Sequence, residues 1–109
     1  MENITTPNIK IDGKIISPKS PTMKVWRKFL EFREKDEEEL KQMTLTEYTD
    51  AHIDLIVTAF NREEVTPEKL NEILNVSDVK PLTAEIFRWL QAIFFLGLEK
   101  IPNAETGTD

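Results

Sequence analysis

Apolar residues fall along this chain in four helix-like blocks, preceded by one short alternating stretch. That stretch, NIKIDGKIIS at about 8–17, sets Ile9, Ile11 and Ile15 in alternation on either side of Asp12-Gly13. An Asp-Gly pair between alternating apolar residues signals a type I′ turn, so the segment predicts a small β-hairpin. An isolated hairpin is marginal in water, so this one should pack on helices or pair with another chain. The run SPKSP then interrupts the chain.

A first helix is predicted from near Ser20 or Thr22, with Ser20 able to cap and Pro21 suited to the first helical position. Val25, Trp26, Phe29, Leu30 and Phe32, together with Met23, cover roughly 180° of its circumference. The acidic run EKDEEEL that follows reads as a solvated helix end or loop. Carboxylates at a helix C-terminus oppose the macrodipole and favour fraying. A second helix starts at TLTEY, where Thr44 and Glu47 form a capping box and Met43 with Tyr48 can form a hydrophobic staple. Ile53, Ile56, Val57 and Phe60 give it a core stripe of about 100°. Tyr48, Ala51 and Leu55 lie on the opposite side at i, i+3, i+7, which marks a second contact or a surface row. A third, short helix is announced by VTPEKLNEIL, with Thr66 as cap, Pro67 in first position, and Val65 with Leu70 as staple. Leu70, Ile73 and Leu74 should face the core, and NVSDVKP should form a loop.

The final helix, predicted over about Leu82–Leu98 and stopping before Ile101-Pro102, carries more apolar surface than one face can hide. Its large apolar residues spread across about 200°, against the ~100° stripe typical of a surface helix. Phe95 lies beyond even that arc. Either the helix is central and wrapped by the others, or one face packs internally and another meets a second protein. If exposed, Phe87, Phe95 and Leu98 form a patch of the kind that marks an interface. With Tyr48 and Leu55 from the second stripe, these are the candidate protein-binding residues.

The predicted architecture is therefore mainly α: about four helices in a small bundle with a short N-terminal hairpin. Residues 1–100 form one domain and 101–109 a polar flexible tail. With 109 residues, the chain is long enough for one modest core. The charge of −6 is uneven: residues 1–30 hold 6 Lys and Arg against Glu2 and Asp12, leaving a strongly acidic remainder. Such a body disfavours nucleic acid, whose non-specific affinity comes from phosphate neutralisation. The basic arm reads as a solvated terminus, or as a contact for an acidic partner or the acidic body of another copy. No signal peptide is expected from MENITTPNIK. The longest apolar run, Ala92–Leu98, has 7 residues, too few for a membrane span.

Candidate chemistry is sparse. Cysteine is absent, which removes disulfides, thiol catalysis and zinc–thiolate sites. His52 is the lone histidine, in DAHID, with Asp50 and Asp54 spaced so that they point elsewhere. A structural or surface role suits it better than catalysis. No metal-ligand spacing, calcium loop, phosphate loop or nucleophile motif occurs, so no metal, no cofactor and no enzymatic activity are expected. A helix-turn-helix reading fails because NREEVTPEKLNEIL, in the recognition position, is net acidic.

The order of parts is more informative: a basic IDGK hairpin, the helix SPTMKVWRKFLEF, an acidic break, TLTEYTDAHIDLIVTAFN, the short TPEKLNEIL, and an aromatic-rich last helix. This order, over residues from about 8 to 100, resembles the tail assembly chaperones of long-tailed phages and prophages of Gram-positive bacteria. The resemblance implies a protein that oligomerises and coats the long, aggregation-prone tape measure protein until the tail tube polymerises around it. It further implies partnership with the tail tube protein through a longer, frameshifted form, of which this chain would be the short, unshifted product. The implied location is the cytoplasm of the bacterial host, with absence from the mature virion. A different class also fits the residues: a small adaptor or inhibitor that binds a host or phage protein through the apolar C-terminal helix. Gene neighbourhood separates the two, tail genes for a chaperone and early or regulatory genes for an adaptor.

Overall fold

A computed structural model describes residues 5–96. Strands β1 (Ile9–Ile11) and β2 (Lys14–Ile16) form an antiparallel hairpin, followed by helices α1 (Met23–Arg33), α2 (Glu37–Lys41), α3 (Leu45–Phe60), α4 (Pro67–Ile73) and α5 (Val79–Leu96), with a 3₁₀ turn at Val76–Asp78. The mainly helical architecture with an N-terminal hairpin is as the sequence predicts, with one helix more.

At the hairpin turn, Asp12 and Gly13 both adopt positive φ, 51° and 83°. These values suit the twist of the flanking strands. The register pairs Ile9 with Ile16 and Ile11 with Lys14. Ile16 therefore shares the buried face with Ile9 and Ile11, while Ile15 turns outward with 64% of its surface exposed. The alternation across Asp12-Gly13 pointed to Ile15, because it did not account for the two-residue turn that decides which residue of β2 faces inward. The hairpin packs on the helices. Lys19 donates its backbone N–H to the Phe60 carbonyl, and Arg62 donates through Nε to the Ser17 carbonyl.

The acidic run is not simply a frayed end. Asp36 begins a new helix, accepting from the Glu39 backbone N–H at 2.9 Å, while the Glu39 carboxylate accepts from the Asp36 N–H. Carboxylates that are unfavourable at a helix C-terminus are favourable in the first turn of the next one. Helix α1 is capped by position at Thr22, without a side-chain bond. The Thr44/Glu47 box at the start of α3 forms as expected, and Thr66 caps α4 by accepting from Lys69. Asn61 ends α3 in the left-handed conformation, which Asn tolerates better than most residues. The expected NVSDVKP loop is instead a 3₁₀ turn running straight into α5. Pro81 falls in the first turn of α5, where no intrahelical N–H is required, so it does not delay the helix. Leu98, the predicted end of the last helix and the expected tail lie outside the described residues.

The core is continuous from hairpin to α5. Its centre is Ile56, Phe60, Leu70 and Ile86, all with no exposed surface. Helix α3 packs against α1, α4 and α5; its core stripe is buried through Ile53, Ile56 and Phe60, and of the second stripe Leu55 is buried while Tyr48 and Ala51 are half-buried. No helix among the described residues is long and apolar enough to cross a membrane.

Candidate protein-binding site

Three helices each contribute one stripe to a groove of about 320 Å³. From α1 come Phe29, Phe32 and Arg33, spaced i, i+3, i+4; from α3 come Tyr48, His52 and Leu55, spaced i, i+4, i+7. Helix α5 gives Lys80, Thr83, Ala84 and Phe87, spaced i, i+3, i+4, i+7, and α2 adds Leu40 at one end. These are the spacings that place side chains on a single helix face. Three of the sequence-predicted residues, Tyr48, Leu55 and Phe87, thus meet in one place. Leu55 and Phe87 form the buried floor, and Tyr48 is a half-buried wall.

The walls are aromatic. His52 sits edge-on to Tyr48 at 4.6 Å and to Phe32 at 5.0 Å. Its Nδ1 lies 2.9 Å from the Tyr48 carbonyl, the residue one turn earlier. Of the structural and surface positions open to it from the sequence, His52 takes the buried one, flanked by Phe32 and Tyr48 and within hydrogen-bond distance of its own helix. The Arg33 guanidinium lies 4.7 Å from the Phe87 ring centroid, and the Lys80 ammonium lies 5.5 Å from that of Tyr48. A second groove, of about 390 Å³, shares Tyr48, His52 and Lys80 and continues between α3, α4 and the start of α5. Tyr48, His52 and Lys80 thus border both concavities.

Phe87 also begins an aromatic ladder toward the far end of α5. It stacks near Phe29 at 6.2 Å and near Trp26 at 6.0 Å. Trp26 in turn stacks on Phe94 at 4.7 Å and meets Phe95 edge-on at 6.2 Å. The ladder runs from buried to open: Phe94 is 51% exposed and Phe95 69%. The apolar surplus of the last helix is therefore divided along its length. Leu82, Ile86, Trp89 and Leu90 are enclosed by the other helices, while Phe94 and Phe95 face outward. Phe87, grouped by the sequence with an exposed patch, is buried because α1 lies across it. Of the five candidates, Phe95 is the one the structure places on an open surface, and Leu98 lies outside the described residues.

Sequence reasoning passed over Arg33, Lys80 and Ala84. Starting the last helix at Leu82 left Lys80 in a loop. Starting it at Val79 puts Lys80 on the same stripe as Ala84 and Phe87, so the signal was present in the i, i+4, i+7 spacing. Among the described residues, no group of three or more His, Asp or Glu side chains is placed to hold a metal ion.

A family model described as phage tail chaperone protein matches residues 1–92. The match contains every groove residue and ends before Phe94. No curated protein and no solved structure matches the chain.

Proposed function

The chain belongs to the phage tail chaperone family, and we propose that it serves tail assembly by associating with itself and shielding the apolar helical seams of the tape measure protein. The observation that carries this reading is the outward-facing Phe94–Phe95 end of α5, anchored on the otherwise buried Trp26. Large rings held firmly at the edge of a core offer contact area with little ordering cost. A helical client with apolar seams is the kind of partner that helix-in-groove surfaces receive. In this reading the protein acts in the cytoplasm of the bacterial host and is absent from the finished virion. The tail tube protein is engaged through a longer, frameshifted form.

Light scattering on size-exclusion eluate, over a range of concentrations, tests self-association. Co-expression with the tape measure protein, followed by its partition between soluble and pelleted fractions, tests shielding. The wild type should form species larger than a dimer and keep the client soluble. Phe95→Glu should weaken one or both while leaving the helical circular dichroism signal intact. A wild type that stays strictly monomeric at high concentration and leaves the client insoluble would overturn the proposal.

A further inference from the structure

We propose that the groove between α1, α3 and α5 accepts an acidic amphipathic helix, with one large apolar side chain entering the floor and flanking carboxylates meeting Arg33 and Lys80. The charge around the groove carries this inference. The chain has 20 Asp and Glu against 14 Lys and Arg, yet no carboxylate lines this groove and two cations do. The nearest acidic helix, α2, turns Asp36 and Glu39 back onto its own N-terminus and contributes only Leu40 to the lining. The ion pairs among the described residues use Lys28 and Lys69; Arg33 and Lys80 rest instead against aromatic faces. An aromatic face holds a cation in place without neutralising it. Both charges thus stand ready at the sides of an apolar floor made by Phe29, Leu55 and Phe87.

The size of the groove narrows the choice of occupant. About 320 Å³ lies at the lower end of the range for ligand clefts and suits side chains from one turn of helix, not a folded domain. On a helix, residues three or four apart share a face, so a Leu or Phe with Glu at those spacings presents both features together. Nucleic acid is a poor match, since two cations on a net acidic body supply little phosphate neutralisation. Across such a contact, opposite charges fix register and suppress wrong partners. This inference deepens the chaperone reading by naming what the groove selects, and it rests on that reading only in taking the groove to bind protein.

The test uses the full chain and two synthetic helical peptides. They are identical except that two Glu flanking a central Leu, at i−4 and i+3, become Lys in the second. The wild type should bind the Glu peptide at least tenfold more tightly by fluorescence anisotropy, with the preference shrinking as salt rises. Arg33→Gln/Lys80→Gln, at exposed positions, should lose the preference, and Arg33→Glu/Lys80→Glu should reverse it. Ala84→Trp, on the exposed wall, should block both peptides. Equal binding of the two peptides, a preference that survives the charge swap, or no binding of either would overturn the inference. Any of these results alongside an intact Phe95-dependent effect on the tape measure protein would leave the chaperone reading standing.

Discussion

Phe87→Ala and Phe95→Ala remove the same atoms from one helix, two turns apart, and should cost very different amounts. Phe87 is 9% exposed and stacks near both Trp26 and Phe29. Truncating a buried Phe costs about 3–5 kcal/mol. Because Phe87 borders an open groove that water can enter, the lower end, about 3 kcal/mol, applies. Phe95 is 69% exposed, so only about a third of it is covered. Full burial of such a side chain is worth about 1.5–3 kcal/mol, which leaves roughly 0.5–1 kcal/mol for Phe95. Its edge contacts with Trp26 and Phe94 add at most a few tenths at this exposure. Against a total stability of about 5–15 kcal/mol, the first loss is severe and the second mild. Urea denaturation followed by circular dichroism measures both. With a urea slope of about 2 kcal/mol/M, the midpoint should fall by about 1.5 M for Phe87→Ala and by about 0.5 M or less for Phe95→Ala. The comparison belongs at the lowest workable protein concentration, because burial of Phe95 between copies would add a concentration-dependent loss. Equal losses at that limit would refute a surplus divided along α5 and would make Phe95 part of the core.

Other perturbations test how the elements are held. Thr44→Ala removes the hydroxyl that accepts from the Glu47 N–H at 3.0 Å and should cost about 1 kcal/mol in the same denaturation experiment, while Thr44→Ser should be close to neutral. No atom lies within 4 Å of a Cβ built on Gly13, but its φ of +83° is unfavourable for any side chain. Gly13→Ala should therefore cost about 1–2 kcal/mol through strain alone, seen as faster amide exchange in β1 and β2. Lys28→Ala breaks a 2.7 Å ion pair with Asp54 in which both side chains are solvated. The loss should stay below about 1 kcal/mol and vanish at high salt; a larger, salt-independent loss would mean that the Lys28 stem packs on the core. Asn61→Gly, at the left-handed cap of α3, should be neutral to slightly stabilising by urea midpoint, because glycine adopts that φ of 52° without a Cβ penalty.

Much of this protein was legible in its sequence because local rules fix local structure. Asp12-Gly13 dictates its turn, Thr44-x-x-Glu47 and Thr66-Pro67 their helix starts, and the spacing of Ile53, Ile56 and Phe60 one buried face of α3. The errors also have local causes. The acidic run contains an Asp-x-x-Glu start signal hidden among other carboxylates, the segment NVSDVKP reads as a loop although it holds a 3₁₀ turn and the first turn of α5 with Pro81 in it, and the alternation across Asp12-Gly13 points to Ile15 where Ile16 is buried. What the sequence could not determine is how surplus apolar surface is apportioned. The wide arc of α5 needs a partner somewhere and the second stripe of α3 marks either a contact or a surface row, but periodicity along one helix carries no information about which neighbour lies across it. Only the tertiary structure decided that α1 covers Phe87 and leaves Phe95 open, and that Arg33 and Lys80, 47 residues apart in sequence, stand beside the same apolar floor. The reason is physical: hydrogen-bonded turns and caps are satisfied within a few residues, whereas a side chain's burial and a groove's charge depend on distant segments brought together by packing.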